Sequence, residues 1–566
     1  MKARTAARSD YKQKISPESP AKAAWTQEFL LFALFFAALM LWHAPLLRLP
    51  YFWDEAGYYV PAARDLYLTG ALIPQSTVSN AHPPLVMAWL ALAWRVAGYS
   101  TSVTRTAMLG LSAFALLGVF RLSRAAANLP VAWATTVLVA VYPVYFTQSS
   151  LAQVDLPAAG FTFWALAAYI EADIHKDDLH KEGPQKKARR WKYALWFSLA
   201  ALAKETAILA PMALFAWEAA GYLVRRGAAE HISTKSARAS WWREMLPPLG
   251  RRAGLAYLAL PVVPLCGWYA YHYLKTGFLF GNPEFFRYNV AATFSALRIP
   301  LAFLMRLWQL FGYFGLYFLT LAGVLAMFRP ARKVGAVARP RIAFWMLGAF
   351  LAVVFTYLVF MSAVGGAVLA RYMLPVVPLV ILSLVSTLWR RVKLWKYIVG
   401  AIAVAFVGGL FSNPPYGFSL EDNLAYRDYV VLHVEADRIL ALEYPGKRIL
   451  SAWPASDELT RPWLGYVNAQ PAFRVVRVED FSATQIERAA RARGYYDVAL
   501  VFSTKYEPAH ALFGMDEWVR WRQIKERYFG YHHDLAPEEI AQRLGGTVGY
   551  HQELNGQWVA VIFVSH

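Results

Sequence analysis

Long apolar runs separated by short basic stretches set the pattern along most of this chain. A run of about 20 apolar residues is long enough to cross a bilayer as a helix. Such runs begin near Phe29, Thr106, Pro130, Leu156, Tyr193, Ala207, Ala253, Leu301, Ile342, Tyr372 and Tyr397. The pattern therefore predicts a mainly α-helical, polytopic membrane bundle of about eleven spans.

Lys and Arg cluster between these runs. The clusters occupy the N-terminal arm, Arg121 and Arg124, 176–192, 225–252, 329–341 and 390–396. Because cytoplasmic loops are enriched in Lys and Arg, all six are placed in the cytoplasm. The short run 82–98 opens with two prolines and contains Arg95. We interpret it as a helix lying along the outer interface, because a full span here would break the alternation of basic and other loops between the two sides of the membrane. We expect a cytoplasmic arm over 1–28 that continues into an uncleaved first span, and a transmembrane domain over 29–412 with an outer loop at 48–105.

The character of the chain changes after Ser412, where Asn413-Pro414-Pro415 ends the last apolar run. Alternating runs at 448–451, 498–502 and 558–562 predict strands, and 483–493 predicts a helix. The sequence thus predicts an extracytoplasmic α/β domain over 413–566.

Composition agrees with membrane residence. Hydrophobic residues make up 58% of the 566 and charged residues 17%, against about 25% charged in soluble proteins. The 22 tryptophans suit helix ends anchored at the headgroup level. The net charge of +20 lies in short loops, which is a topology signal and excludes nucleic acid as the expected partner. With Cys266 as the sole cysteine, an intrachain disulfide and a thiolate metal site are excluded.

Two acidic sites follow apolar runs on the predicted outer side. Asp54 and Glu55 lie among aromatic residues after the first run, where a carboxylate can act as a general base. The alternative is a helix cap in a loop. Asp155 opens the fourth run, and the alternative there is an ordinary N-cap. Two such acids can also bind a divalent ion or divide the roles of base and orienting group.

Polar residues at two further places are candidates for binding substrate. His82 precedes Pro83-Pro84 at the start of the interfacial helix, and the alternative is an interfacial histidine. Lys204 and Glu205 fall at the apex of a hairpin over 193–224, where charge is costly and normally faces a cavity or a partner. They are either a mutually neutralised pair or a site where the ammonium binds a phosphate.

Two arginines extend this set. Arg371 precedes Tyr372 at the outer end of the tenth run, where it either snorkels or binds a phosphate with its planar fork. Arg287 lies among aromatic residues in an outer loop, which suits a lipid phosphate or an interfacial anchor.

Taken in order, these residues resemble the GT-C class of polyprenyl-phosphate-sugar-dependent glycosyltransferases, in particular the protein O-mannosyltransferase-like group and the lipid A aminoarabinose transferases. The resemblance covers roughly residues 25 to 410. Its motifs are Trp53-Asp54-Glu55, Ala81-His82-Pro83-Pro84-Leu85, Asp155, Lys204, and Arg371-Tyr372 with Leu374-Pro375. The sequence departs from the aminoarabinose transferases at Ala81-His82, where they carry an acid–lysine pair. It also lacks a recognisable set of the metal-binding acids of oligosaccharyltransferases.

The resemblance implies an inverting transfer of a sugar from a polyprenyl phosphate to an acceptor hydroxyl of an envelope lipid, glycan or protein. Asp54 would be the general base, and Lys204, Arg371 and Arg287 would hold the phosphate. Asp155 and Glu55 would orient the acceptor, His82 or the cations. It implies no certain cofactor, and a divalent metal is left open. It also implies the bacterial inner membrane as the location. Two rivals are a flippase or transporter for a lipid-linked sugar, and a non-catalytic scaffold; a flippase often shows paired repeats, which are not found in the sequence.

Overall fold

The computed structural model describes residues 20–174, 184–231, 244–247, 254–283, 287, 293–468, 473–508, 510, 511, 514 and 518–565. Within these residues, five helical stretches are long and apolar enough to cross a membrane: 26–46, 101–126, 205–226, 298–327 and 344–363. Shorter apolar helices accompany them at 85–97, 129–141 and 395–411. The expected mainly helical membrane bundle is confirmed, and the chain is an integral membrane protein. The number of spans stays a prediction.

The bundle is built from sixteen described helices. They are α1 (Pro20–His43), α2 (Val60–Thr69), α3 (Leu85–Ala97), α4 (Thr101–Ala126), α5 (Leu129–Val141), α6 (Pro143–Gln148), α7 (Asp155–Ile174), α8 (Pro184–Ala203), α9 (Leu209–His231), α10 (Leu255–Ala259), α11 (Val262–Thr276), α12 (Arg298–Phe311), α13 (Leu316–Met327), α14 (Phe344–Ala363), α15 (Val377–Arg391) and α16 (Trp395–Phe411). The predicted interfacial helix is α3, and the predicted hairpin is formed by α8 and α9, with Lys204-Glu205 at its apex.

Local sequence explains where several helices begin and end. The Ser100 side chain accepts a hydrogen bond from the Val103 N–H at the start of α4, and Asn128 does the same for Val131 at the start of α5. The apolar run with a span expected to begin near Leu301 forms the membrane-capable stretch 298–327, but a break divides this stretch into two helices. The break between α12 and α13 contains Phe314 at φ 45° and Gly315 at φ 87°, in the left-handed region that favours glycine.

Helices α4 and α7 cross closely because both carry small residues at the contact. A Cβ at Gly160 of α7 would lie 2.8 Å from the Ala115 Cβ of α4, which is too close for two carbon atoms. Small residues let helix backbones approach in a membrane, where packing rather than water exclusion holds helices together. The crossing fixes Asp155, at the start of α7, relative to the start of α4.

Charged side chains mark the two ends of the bundle. At one end, Arg121 late in α4 binds Glu28 of α1 at 3.0 Å and Glu171 late in α7 at 2.7 Å. The basic stretches 329–341 and 390–396 also lie there, because α15 runs from the site of Arg371 to Arg391. Asp155 and Arg371 occupy the opposite end, which is the end that the C-terminal residues cover.

The C-terminal residues form a mixed sheet with helices beside it, as the alternating pattern predicted. The order of its strands is β4 (Arg474–Val478), β3 (Arg448–Ala452), β5 (Val498–Phe502), β7 (Gln557–Val564) and β6 (Gly546–Leu554). A separate, exposed two-stranded hairpin, β1 (Lys333–Val334) and β2 (Val337–Ala338), lies earlier in the chain, between two helices of the bundle. Strands β3, β4 and β5 are parallel, whereas β6 and β7 are antiparallel to their neighbours. The associated helices are α17 (Ala425–Glu443), α18 (Ala455–Glu458), α19 (Ala483–Arg491), α20 (Val519–Phe529) and α21 (Pro537–Leu544).

Candidate active site

One buried arginine joins the acidic sites of the bundle. The Arg371 guanidinium donates hydrogen bonds to Asp54 and Glu421, and its Nε lies 3.3 Å from Asp155 Oδ2. Asp155 in turn accepts a hydrogen bond of 2.5 Å from Lys204 Nζ. Four residues singled out from the sequence, 54, 155, 204 and 371, therefore meet in one ionic network, together with Glu421.

These side chains come from segments where helices start or stop. Asp155 is the first residue of α7, and Lys204 has extended backbone angles (φ −152°, ψ 131°) between α8 and the short turn 205–208. Arg371 lies in a 3₁₀ turn, 370–373, and the helix that the sequence expected to begin near Tyr372 begins five residues later, at Val377. Proline is tolerated in the first turn of a helix but not in its interior, so Pro378, which lies in the first turn of α15, favours a start at Val377 and leaves Arg371 in the turn before it.

Exposure separates the three carboxylates on Arg371. The Asp54 side chain is 22% exposed, whereas Asp155 and Glu421 are each 3% exposed. A molecule in solution can therefore reach Asp54 and not the other two. In their charged forms the three carboxylates outnumber the cations Arg371 and Lys204, so the network holds no surplus positive charge.

Glu421 was missed from the sequence, where 413 onwards was assigned to the outer domain. The Gln153 amide connects it to the bundle, because Nε2 donates to Glu421 at 2.7 Å and Oε1 accepts from Arg371 at 2.8 Å. The signal that would have indicated it is an acidic pair, Glu421-Asp422, directly after the last apolar run. Burial, followed by the neighbouring Glu421, raises the pKa of Asp422 to about 7. Its Oδ2 accepts a hydrogen bond from the Tyr313 hydroxyl at 2.6 Å.

His82 and Glu205 form a second pair beside this network. His82 Nδ1 lies 2.7 Å from Glu205 Oε2, and the ring of His82 stacks on Tyr59 with centroids 5.9 Å apart. Since Glu205 follows Lys204, the pair ties the outer loop to the apex of the hairpin. The sequence predicted both residues as substrate-binding, and their side chains keep partial exposure of 10% and 23%.

Glu55 has different partners from its neighbour Asp54. It is fully buried and accepts hydrogen bonds from Arg105, which is also fully buried, and from the backbone N–H groups of Phe52 and Ala152. Successive residues point in different directions in this turn, so only Asp54 faces Arg371. The geometry gives Glu55 the task of fixing the loop that carries Asp54.

Aromatic rings from two parts of the chain flank Asp54. The ring of Trp453, in the loop after β3, lies 5.3 Å from that of Trp53 and 6.3 Å from that of Tyr58. A Cβ at Gly57 would lie 2.6 Å from Trp453, so glycine permits the close approach. All three rings are half-buried. The outer domain thus forms part of the wall beside the exposed carboxylate.

Two further possibilities from the sequence concern Arg287 and a divalent metal site. Arg287 is described and exposed, while its aromatic neighbours at 285, 286 and 288 lie outside the described residues. Across the described ranges, no group of three or more His, Cys, Asp or Glu side chains is arranged to hold a metal ion. The carboxylates converge instead on the Arg371 guanidinium, an arrangement that does not fit a metal centre.

Comparisons with known proteins give structural similarities only. No known family and no curated protein matches the sequence. Crystal structures of ArnT from Cupriavidus metallidurans match in the apo state (14% identity, TM-score 0.48, covering 96% of this chain and 98% of that one) and bound to undecaprenyl phosphate (12%, 0.49, 95% and 98%). The oligosaccharyltransferase AglB from Archaeoglobus fulgidus, in complex with an inhibitory peptide and a dolichol-phosphate, matches at 12% identity and TM-score 0.40 over 96% of this chain and 74% of that one. Both belong to the GT-C class that the sequence motifs resemble. Because these TM-scores are below 0.5, a function for this chain must come from its own residues.

Proposed function

We propose that this protein is a membrane glycosyltransferase that moves a sugar from a polyprenyl-phosphate donor to an acceptor hydroxyl. The observation that carries the proposal is the buried network in which Arg371 binds Asp54, Asp155 and Glu421. Buried charge inside a membrane bundle is expensive and normally serves function. Here it is concentrated at the bundle end that faces the outer domain.

In the proposed reaction Asp54 is the general base. It is the exposed carboxylate of the network, so the acceptor hydroxyl can donate its proton to it while the oxygen attacks the anomeric carbon. The carbon–oxygen bond to the phosphate breaks on the opposite face, which gives inversion, and the phosphate leaves with the electron pair. Asp155 orients Lys204 and Arg371, and Glu55 holds the Asp54 loop through Arg105.

Donor and acceptor are proposed to approach from different sides. Lys204, Arg371 and Tyr372 lie on the hairpin and turn within the bundle, where a lipid-linked phosphate would arrive, and His82 with Glu205 borders this region. Trp53, Tyr58 and Trp453 lie toward the outer domain, where half-buried aromatic rings suit the apolar face of an acceptor. Exposed Arg287 is proposed as a peripheral contact for the lipid phosphate.

The orientation is part of the proposal. Arg121 and the basic stretches 329–341 and 390–396 lie at the end of the bundle opposite the network, and such stretches are enriched on the cytoplasmic side. The network and the domain over 413–566 would then lie outside the cytoplasm, in a bacterial inner membrane. The acceptor would be an envelope lipid, glycan or protein, and the bilayer supplies the donor.

The test is transfer by purified protein in liposomes containing a radiolabelled polyprenyl-phosphate sugar. We expect Asp54→Asn to lower kcat by about a hundredfold or more, since general bases contribute roughly 10²–10⁴-fold. Asp65→Asn is the matched control. Asp65 lies in the same outer loop and accepts hydrogen bonds from Gln75, at 2.6 Å, and from Ser76, which an amide oxygen can keep.

Three outcomes would contradict the proposal in different ways. Full activity of a folded Asp54→Asn variant would remove the base assignment. Movement of the lipid across the membrane without transfer would favour the flippase. Neither transfer nor movement, across a panel of envelope acceptors, would favour the scaffold.

A further inference from the structure

Arg306, in the middle of α12, is a fully buried cation that has no carboxylate partner among the described residues. Its donors go to neutral acceptors: Met361 O at 3.2 Å, Gln309 Oε1 at 2.8 Å and Leu369 O at 2.6 Å. Its second terminal nitrogen, Nη2, is buried with no hydrogen-bond partner in the described part of the chain. No Asp or Glu of that part forms an ion pair with it.

This environment differs from that of the other buried cations at the site. Arg371 has three carboxylates around it and Lys204 binds Asp155, so their charges are already offset. An unpaired charge within a membrane-crossing segment, here 298–327, is costly and marks a functional position. A structural role alone would be served by a neutral side chain that hydrogen-bonds the same carbonyl groups.

The position of Arg306 relative to Tyr372 indicates what it binds. Three cations surround the Tyr372 ring: Lys204 Nζ lies 4.1 Å from its centroid, and the guanidinium carbons of Arg306 and Arg371 lie 5.5 Å and 5.6 Å away. Tyr372 itself is partly exposed, which gives an anion access to the group. An anion that enters beside this ring meets three cations, of which Arg306 is the one whose charge is not offset by a carboxylate among the described residues.

We propose that Arg306 is the principal cation for the phosphoryl group of the lipid-linked donor. This inference rests on the proposed function and adds a residue that the sequence did not indicate. The network around Arg371 has no positive charge to spare, so a bound phosphate, and the further negative charge it gains on leaving, require another cation. Arg306 meets this need with an unused N–H donor and a planar fork that matches phosphate oxygens.

The experiment compares binding of undecaprenyl phosphate and of neutral undecaprenol to full-length protein in nanodiscs. We expect the wild type to prefer the phosphate, and Arg306→Gln to lower the ratio of the two affinities by about tenfold or more, as for loss of a charge-assisted bond. Arg306→Lys should restore part of the ratio. Retained undecaprenol binding shows that each variant is folded.

Arg298→Gln is the matched control for loss of packing. Arg298 is also buried on α12 and donates to Gly365 O at 2.8 Å and Gly366 O at 2.9 Å, so it holds the same 364–369 loop as Arg306. Its variant should leave the affinity ratio unchanged. An unchanged ratio in Arg306→Gln, or an equal fall in Arg298→Gln, would overturn the inference.

Competition by inorganic phosphate tests whether the site recognises the phosphoryl group itself or the lipid that carries it. Competition with undecaprenyl phosphate in the wild type that is lost in Arg306→Gln supports a phosphoryl site at this residue, whereas equal competition in both proteins overturns it. A wild type that binds both lipids equally would instead contradict the proposed donor. The failure of the inference and the failure of the proposed function are thus distinguishable.

Discussion

Asp54 and Glu55 are adjacent carboxylates, and the same chemical change at each should have opposite effects. Glu55 is fully buried against the fully buried Arg105. Glu55→Gln keeps the shape but replaces one acceptor oxygen by a donor NH2 group, so it loses two of the four hydrogen bonds that Glu55 accepts and leaves the guanidinium charge unpaired. Removing one partner of a buried ion pair costs about 3–5 kcal/mol. We therefore expect a loss of this size in the free energy of unfolding, whereas Asp54→Asn should lower transfer by about a hundredfold or more with little loss of stability.

The remaining hydrogen-bond partners of Arg105 limit how much Glu55→Gln lowers the free energy of unfolding. Its guanidinium also donates to Ser150 O and Pro50 O, both at 3.0 Å, and these carbonyl groups stay in place. They solvate the charge only in part, so we place the loss near the lower end of that range. A double-mutant cycle with Arg105→Met isolates the pair, since residues in direct contact show coupling of about 0.5–3 kcal/mol.

The assay is reversible unfolding in mixed micelles, followed by tryptophan fluorescence, with transfer measured on the folded fraction. The double variant should be less destabilised than the sum of the single variants. A Glu55→Gln protein that unfolds like the wild type but has lost transfer a hundredfold would refute the positioning role and place Glu55 in the chemistry.

Three further results are expected. Burial raises the pKa of Asp422 from 3.8 to about 7, so the folded chain holds this proton more tightly than the unfolded chain. The stabilisation present at low pH should therefore be lost as pH rises from about 4 to about 7. Asp422→Asn should make the free energy of unfolding depend less on pH over this range, and an unchanged slope would contradict this. Trp453→Ala should raise the KM for the acceptor several-fold with little effect on donor binding, because an aromatic pair contributes about 0.5–1.5 kcal/mol; a change in donor affinity alone would contradict it. In a Cys266→Ser background, a cysteine at Ser76 should react with an impermeant reagent outside intact cells and one at exposed Val337 should not; the reverse labelling would invert the orientation.

The sequence predicted those parts of the site in which a charge interrupts an apolar context. Asp155, Lys204 and Arg371 each stand next to long hydrophobic runs, where charge is expensive, so their position alone marked them. Their convergence required the α4–α7 crossing and the hairpin of α8 and α9, which depend on packing between segments far apart in the sequence.

The sequence missed groups whose surroundings look ordinary. Glu421 lies in a polar stretch after the last apolar run, where an acid normally indicates a solvated linker. Arg306 interrupts an apolar run as a single cation, a pattern equally typical of a snorkelling side chain. The pairing of Glu55 with Arg105 joins an outer turn to a helix fifty residues away, and no local spacing encodes it. In the C-terminal domain, by contrast, short runs rich in apolar and β-branched residues predicted β3, β5 and β7, because strand patterns of this kind depend on local residues.

The connection from Glu421 to Arg371 has a consequence for engineering. A chimera that exchanges the outer domain to change acceptor preference would naturally be spliced at Ser412, where the last helix of the bundle has ended. That junction would transfer Glu421 with the donor module and remove a counter-charge from Arg371 of the recipient. Splicing after Leu424 instead keeps the acid with the bundle, so the usable modular boundary lies about a dozen residues beyond the visible edge of the hydrophobic region.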